Sequence, residues 1–324
     1  MKSTDLIQIV QELDNDERID DFLKGRERRR PVKHLSARNQ HFLQSQDDSK
    51  RNLQFTYKAA RFEQGWLLNS LGDLYEQRWI SDVLRKIKAG KEASVYLCKS
   101  GERVEAPLVA AKVYRPRMLR NLRNDGQYRE GRIELDEQGR EVHDTHALHA
   151  VFIRSRFGEQ VRHQSWIAYE YTALQALYQA GADVPRPYEL APNAILMEYF
   201  GDETMPAPTL NEVDLEPGEA GPLFERLLRN LNLMLACQRV HGDLSAYNVL
   251  YWEGDIALID FPQVVLPASN RNAYAIFERD VTRLCEYFIQ QGLSLQPRRL
   301  AAELWEAHDD HLGLEMVDES LLGE

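Results

Sequence analysis

The chain has 324 residues, 43% hydrophobic and 28% charged, with a formal net charge of −11. That is about two domains' worth of polypeptide with enough apolar matter for a real core, which excludes disorder throughout. No run of about 18 uncharged apolar residues occurs, so no transmembrane helix is expected; three scattered cysteines (Cys98, Cys237, Cys285) without a CxxC exclude a disulfide scaffold and a cysteine zinc site, and fit a reducing cytoplasm.

Residues 1–50 are polar and lack a sustained apolar period. A short amphipathic helix is expected over 4–23 (Leu6, Ile9, Val10, Leu13), and the early acidic residues argue against a signal peptide. The basic run Arg26–Arg30 reads as a solvated tract in a mobile linker rather than an RNA contact. From Leu53 to Ile87 apolar residues recur at helical spacing, which predicts about two helices, with 51–84 forming a helical extension. ASVYLCKS (93–100) and LVAAKVY (108–114) then read as a β-hairpin. Residues 115–163 are polar and read as a long loop that is functional, partner-ordered or disordered. A helix is expected over 165–181, a buried strand over 194–200, and a long helix over 221–240. Two short strands follow in 248–261, and a last helix over 272–291. Charge is uneven along this order. Residues 1–84 carry 14 basic and 14 acidic side chains, residues 85–170 carry 17 and 12, and residues 171–324 carry 9 and 25. Such an acidic half is poorly suited to gripping nucleic-acid phosphates.

The expected fold is α+β: a two-lobed, protein-kinase-like arrangement. A small sheet with one helix spans 85–200, and a reduced, mostly helical lobe spans 201–324. The strongest chemical signal is HGDLSAYNVL (241–250) followed by LIDF (258–261). Phosphoryl transfer asks for a carboxylate that orients the attacking hydroxyl and accepts its proton, and for oxygen ligands that hold magnesium on the triphosphate. Asp243 fits the first role; Asn248 and Asp260 fit the second, being hard oxygen donors. KAGKEASVY (88–96) is a degenerate phosphate-binding loop in which Lys88 and Ala93 stand where the first and third glycines usually sit, and Gly90 remains. Lys112 follows 22 residues after Gly90 in a strand, where it can reach the α- and β-phosphates, and Glu170 lies in a helix where it can pair with Lys112. Taken singly, Asp243 would read as a turn cap, Lys112 as an edge lysine and Glu170 as a helix former. Their joint order favours catalysis. His241 reads as a structural histidine.

These motifs resemble the RIO family of atypical protein kinases, nearest its first subfamily, over about residues 75–290. GKEASVY resembles its GKEA-x-VY loop, AKVY with the following Arg- and Tyr-containing stretch its K-x-Y strand and loop, WIAYE its W-A-x-K-E helix, HGDLSAYN its HGDLS-x-YN catalytic loop, LIDFPQ its I-D-x-x-Q, and RDVTRLCEYF its R-D helix. The resemblance implies ATP with magnesium, or manganese in its place, and transfer to serine or threonine. It implies a nucleotide site built from Gly90, Lys91, Glu92, Ala93, Ser94, Val95, Lys112 and Glu170. Met197 would be the gatekeeper, with backbone groups of Glu198 and Phe200 meeting the adenine. It also implies that Asp260 can carry a phosphate in an ATPase-like cycle. The partners implied are an unidentified protein substrate and, by family alone, a ribosomal or RNA-containing particle, in the cytoplasm and away from membranes. Three departures from ordinary protein kinases stand out. Gly242 replaces the arginine that clamps a phosphorylated activation loop, Pro262 replaces the glycine after the metal-binding Asp-Phe pair, and no docking-lobe motif follows Asp260. These predict a kinase without activation-loop control. A small-molecule phosphotransferase and a nucleotide-gated assembly factor carry the same core residues and stay open at this point.

Overall fold

In a computed structural model, the structure describes residues 55–115, 132–136 and 138–308. The expectations for residues 1–50, including the 4–23 helix and the Arg26–Arg30 tract, lie outside the described residues. The first helix, α1 (Arg61–Glu76), lays Leu67, Leu71 and Leu74 against a five-stranded antiparallel sheet; each is at most 1% exposed. Burying each of these stabilises the fold by about 1.5–3 kcal/mol. The sheet comprises β1 (Ile80–Ala89), β2 (Ala93–Ser100), β3 (Leu108–Tyr114), β4 (Pro187–Ala191) and β5 (Ala194–Glu198), in the order β1-β2-β3-β5-β4. One face packs on α1, the other on a long helix, so the strands alternate between two cores. Tyr96, Cys98, Ala111 and Val113 face α1, whereas Ala93, Tyr114 and Ile195 face Trp166 and Ile167 of that helix.

Two expectations are corrected here. The second helix expected before residue 87 is strand β1, paired with β2 through three register shifts. The stretch 115–163 is not one loop where it is described. It contains α2 (Thr145–Phe152), capped by Asp144, and the start of α3 (Arg156–Gln179), capped by Ser155. Asp144 accepts the His146 and Ala147 N–H groups at 3.0 and 3.2 Å, and Ser155 Oγ accepts the Gly158 N–H at 3.1 Å. These satisfy donors that a helix start otherwise leaves open. So α3 begins nine residues before the expected Ser165.

The second lobe is built on α4 (Ala220–Ala236), the hairpin β6 (Val249–Trp252) and β7 (Asp255–Leu258), α5 (Ala273–Gln290) and α6 (Pro297–Glu306). α6, which the sequence reading did not include, seats Ala301 and Trp305 in the core formed by Leu227, Leu231, Val281, Leu284 and Phe288. The layout is that of a two-lobed kinase-like fold, with an antiparallel sheet and α3 in the first lobe and a small helical second lobe. The chemistry-bearing motifs fall on the elements that face one another between the lobes.

Candidate active site

β3 places Lys112 by simple alternation. Ala111 and Val113 belong to the α1-facing core, so Lys112 projects toward α3, between Val95 of β2 and Ile195 of β5 in register. Its side chain is 8% exposed, yet it is not stranded. The ammonium is bonded to Glu170 Oε1 and lies 2.6 Å from Asp260 Oδ1. Burial alone would lower the lysine pKa. The two carboxylates outweigh it and hold the ammonium above its ordinary range, firmly charged.

Glu170 sits on the buried face of α3, 4% exposed, and each oxygen is used. Tyr114 donates its hydroxyl to Oε2 at 2.6 Å, and the Phe261 N–H donates to Oε1 at 3.3 Å. A buried carboxylate needs such partners to offset the loss of water around its oxygens. The glutamate therefore joins β3, α3 and the residue directly after Asp260.

Asp260 leaves β7 with φ of +74°, the left-handed region, which costs a non-glycine residue on the order of 1–3 kcal/mol and recurs where function demands a side-chain direction. Its side chain is still 45% exposed; the partial loss of water on the protein side would raise its carboxyl, and Lys112, with smaller help from Lys88, holds it below the usual carboxylate range. His241 is 1% exposed, and its Nε2 lies 3.1 Å from the Ile259 carbonyl, so Nε2 carries the proton. Nδ1 then accepts the Asp243 N–H at 3.3 Å. The ring thus splints the strand before Asp260 to the loop carrying Asp243, as a structural histidine does.

Asn248 ends a short 3-10 turn (Ala246–Asn248) and ties the same two loops. Its Nδ2 donates to the Asp243 carbonyl at 2.8 Å, and its own carbonyl accepts the Ile259 N–H at 3.0 Å. That orientation leaves the amide oxygen as its ligand atom. Asp243 presents its carboxylate 46% exposed, 2.8 Å from Arg283 Nη1. Among the described residues no group of three or more His, Cys, Asp or Glu could cage a metal. One carboxylate and one amide oxygen, completed by phosphate oxygens, is the donor set magnesium favours beside a nucleotide.

The remaining expected residues separate into two groups. Gly90 donates its N–H to the Ala93 carbonyl at 2.8 Å, closing the turn over Lys91 and Glu92; a Cβ at residue 90 would stand 2.9 Å from that oxygen. Glu92 accepts the Arg115 N–H at 2.8 Å, which fixes the loop to the end of β3, and Val95 pairs with Lys112. Ser94, 2% exposed, shares the α1-facing side with Tyr96, so its side chain points away from the cleft. Met197 on β5 packs against the α3-facing core and the core of the second lobe, at the junction of the lobes. Glu198 receives the Arg186 N–H on its carboxylate at 3.1 Å, while the Phe200 carbonyl accepts the Ala207 N–H at 2.9 Å. Tyr114, Arg279, Asp280 and Arg283 stand in the sequence only as members of the K-x-Y strand and the R-D helix, without a role in the site. Tyr114 was detectable, because it lies two residues from Lys112 on a strand and so shares its face. Asp280 accepts the Gly242 N–H at 2.7 Å and pairs with Arg279, which also donates to the Gly242 carbonyl. Burial raises the Asp280 carboxyl against the pull of Arg279.

With this geometry in place, the comparisons with known proteins are direct. A family model for the RIO domain matches residues 95–300. The chain is 30% identical over 135 residues to the RIO-type serine/threonine-protein kinase Rio1 of Thermoplasma acidophilum, covering 42% of this chain and 69% of that protein. It is 30% identical over 207 residues to the protein of the same name in Haloferax volcanii, 64% of this chain and 63% of that one. Against the serine/threonine-protein kinase RIO1 of Chaetomium thermophilum it is 31% identical over 230 residues, 66% of this chain and 40% of that protein.

Proposed function

The chain belongs to the RIO domain family, and on that footing we propose that it is an ATP- and magnesium-dependent serine/threonine protein kinase that phosphorylates itself and needs no activation-loop phosphate. The observation that carries this reading is the Lys112 ammonium, held between Glu170 and Asp260 across the two lobes. ATP binds between the lobes, with Gly90–Val95 over its phosphates and Lys112 turned to the α- and β-phosphate oxygens. Asn248 and Asp260 are the residues that would hold magnesium, which when bound neutralises charge on the phosphates. Asp243 orients the acceptor hydroxyl. As its oxygen bonds to the γ-phosphorus, the bond to the β,γ-bridging oxygen breaks, ADP departs, and the hydroxyl proton passes to Asp243. In the variant cycle Asp260 accepts the phosphoryl group itself and water releases it.

The names of the similar proteins support a protein acceptor bearing a hydroxyl. A ribosomal or RNA-containing partner rests on the family resemblance alone. A cytoplasmic location is supported by three free cysteines; in addition, no described helix is long and apolar enough to cross a membrane.

The test is transfer of label from γ-labelled ATP to the purified protein, with Asp243→Ala and Asp260→Ala alongside and with hydroxylamine treatment. Label that resists hydroxylamine and disappears in Asp243→Ala, with ATP binding retained, is the expected result. Hydroxylamine-sensitive label absent from Asp260→Ala assigns the ATPase-like cycle. Loss of ATP binding in Asp243→Ala would overturn the role given to that residue.

A further inference from the structure

Ordinary protein kinases hold the segment after the metal-binding aspartate with an arginine at the position of Gly242. Here that position admits no side chain. Gly242 has φ of +87°, and a Cβ on it would stand 2.2 Å from the Gln263 carbonyl oxygen. The segment Pro262–Val264 therefore lies directly on the Gly242 backbone. It is fixed at its far end by paired backbone bonds between Val265 and Val240, at 2.9 and 3.0 Å.

Its other side is held by a residue from the first lobe. Arg132 Nη2 donates to the Pro262 carbonyl at 3.1 Å and also to the Val264 carbonyl. The two carbonyls flank Gln263, so the arginine and the Gly242 backbone both bear on the same three residues. The guanidinium lies over the Tyr169 ring, 4.9 Å from its centroid, the geometry of a cation–π contact. The strap that bears it is pinned along α3: the Ile133 N–H donates to Tyr169 Oη at 3.0 Å, and the Leu135 N–H donates to Ser165 Oγ at 2.9 Å. Tyr169 is the immediate neighbour of Glu170. One side chain thus joins α3, at the residue beside the lysine's partner, to the backbone that follows Asp260.

We infer that Arg132 is a positioning residue for the metal site: it replaces, from the first lobe, the clamp that Gly242 cannot supply, and sets the backbone from which Asp260 presents its carboxylate. The inference rests on the reading of Asp260 as a magnesium ligand. Both bonds leave the single Nη2 while the rest of the guanidinium plane lies over Tyr169; lysine keeps the charge but lacks that plane, so its one ammonium cannot donate to the two carbonyls and cover the ring as arginine does. Residues that orient a ligand from behind typically change metal affinity about 10–100-fold.

The experiment titrates manganese, followed by its electron paramagnetic resonance signal, into the full-length protein with a non-hydrolysable ATP analogue. The proteins compared are wild type, Arg132→Lys, Arg132→Met and Asp260→Asn. Analogue affinity without metal and the melting temperature are measured in parallel. The expected result is manganese affinity lowered about tenfold or more in both Arg132 variants, with metal-free analogue binding unchanged. Wild-type manganese affinity in Arg132→Lys overturns the inference. So does an equal loss of metal-free analogue binding and melting temperature, which marks a merely structural arginine. If Arg132→Met does not fold, Arg132→Lys decides. Asp260→Asn separates the two readings: unchanged manganese affinity there removes the metal assignment itself, whereas its loss beside unaffected Arg132 variants removes only the positioning role.

Discussion

Glu170→Gln keeps the shape of the side chain and removes one charge and one acceptor. Three donors converge on the carboxylate: the Lys112 ammonium, the Tyr114 hydroxyl at 2.6 Å and the Phe261 N–H at 3.3 Å. The glutamine oxygen can serve the Lys112 and Phe261 side, where both use the same atom, but the Tyr114 hydroxyl then meets an amide N–H₂. An orphaned buried donor costs about 1–3 kcal/mol. Weakening the Lys112 pair costs a further ~1–2 kcal/mol, less than the ~3–5 kcal/mol of a buried pair broken outright, because Asp260 stays 2.6 Å away. The expected loss is therefore about 3 kcal/mol from a total of ~5–15 kcal/mol. Urea denaturation reads it, with fluorescence from Trp166, whose ring lies 5.1 Å from that of Tyr114. The same variant should raise KM for ATP and lower kcat roughly hundredfold, because the lysine is no longer aimed. A stability change below about 0.5 kcal/mol would refute the account of how this carboxylate is used.

Asp183 accepts bonds from Arg226 at 2.8 and 2.9 Å and from Asn230 at 2.7 Å. Burial would raise its carboxyl, but Arg226 and Asn230 hold it below the ordinary 3.8, so its contribution is complete above that pH and is lost as pH falls through the lower folded value. Asp183→Asn should cost about 3–5 kcal/mol at pH 7, and the gap from wild type, measured by denaturation, should narrow below pH 3.8. Burial pushes the Cys285 thiol up to about 11 and raises Cys98 as well. Iodoacetamide at pH near 8 should therefore label half-buried Cys237 first and spare the other two in the native protein, as read by peptide mass mapping.

The site motifs were legible because they are local. Asp243 and Asn248 lie five residues apart, and the loop that bonds one to the other closes on itself. Lys112 was legible as an inward position on a strand. β1 was hidden by its own irregularity. Its three register shifts place apolar residues at 80, 83, 84 and 87, which is a helix period although the chain is extended. α2 was hidden because its cap, Asp144, and its histidines sit in a stretch whose polarity reads as loop. The turn before Ala194 closes β4 onto β5, and β4 carries Pro187, which demotes a strand in sequence. Arg132 was legible only as the last arginine of the stretch that follows AKVY. One arginine among many in that stretch is distinguished only by two carbonyls 130 and 132 residues away.

The turn between β4 and β5 has a mechanical consequence. Asn193 Nδ2 donates to Ser70 Oγ of α1 at 2.9 Å and to the Tyr114 carbonyl of β3 at 2.8 Å. Its Oδ1 lies 2.8 Å from His163 Nε2 of α3, and its carbonyl accepts the Tyr114 N–H at 3.0 Å. A single amide is thus shared by both helices that sandwich the sheet and by the strand carrying Lys112. Many kinases are switched off by swinging the glutamate helix outward, which separates the lysine from its partner. In this chain that swing would have to break the His163–Asn193 and Tyr114–Glu170 bonds together. The lysine and its glutamate stand assembled, held by the same amide that ties the two helices to the sheet.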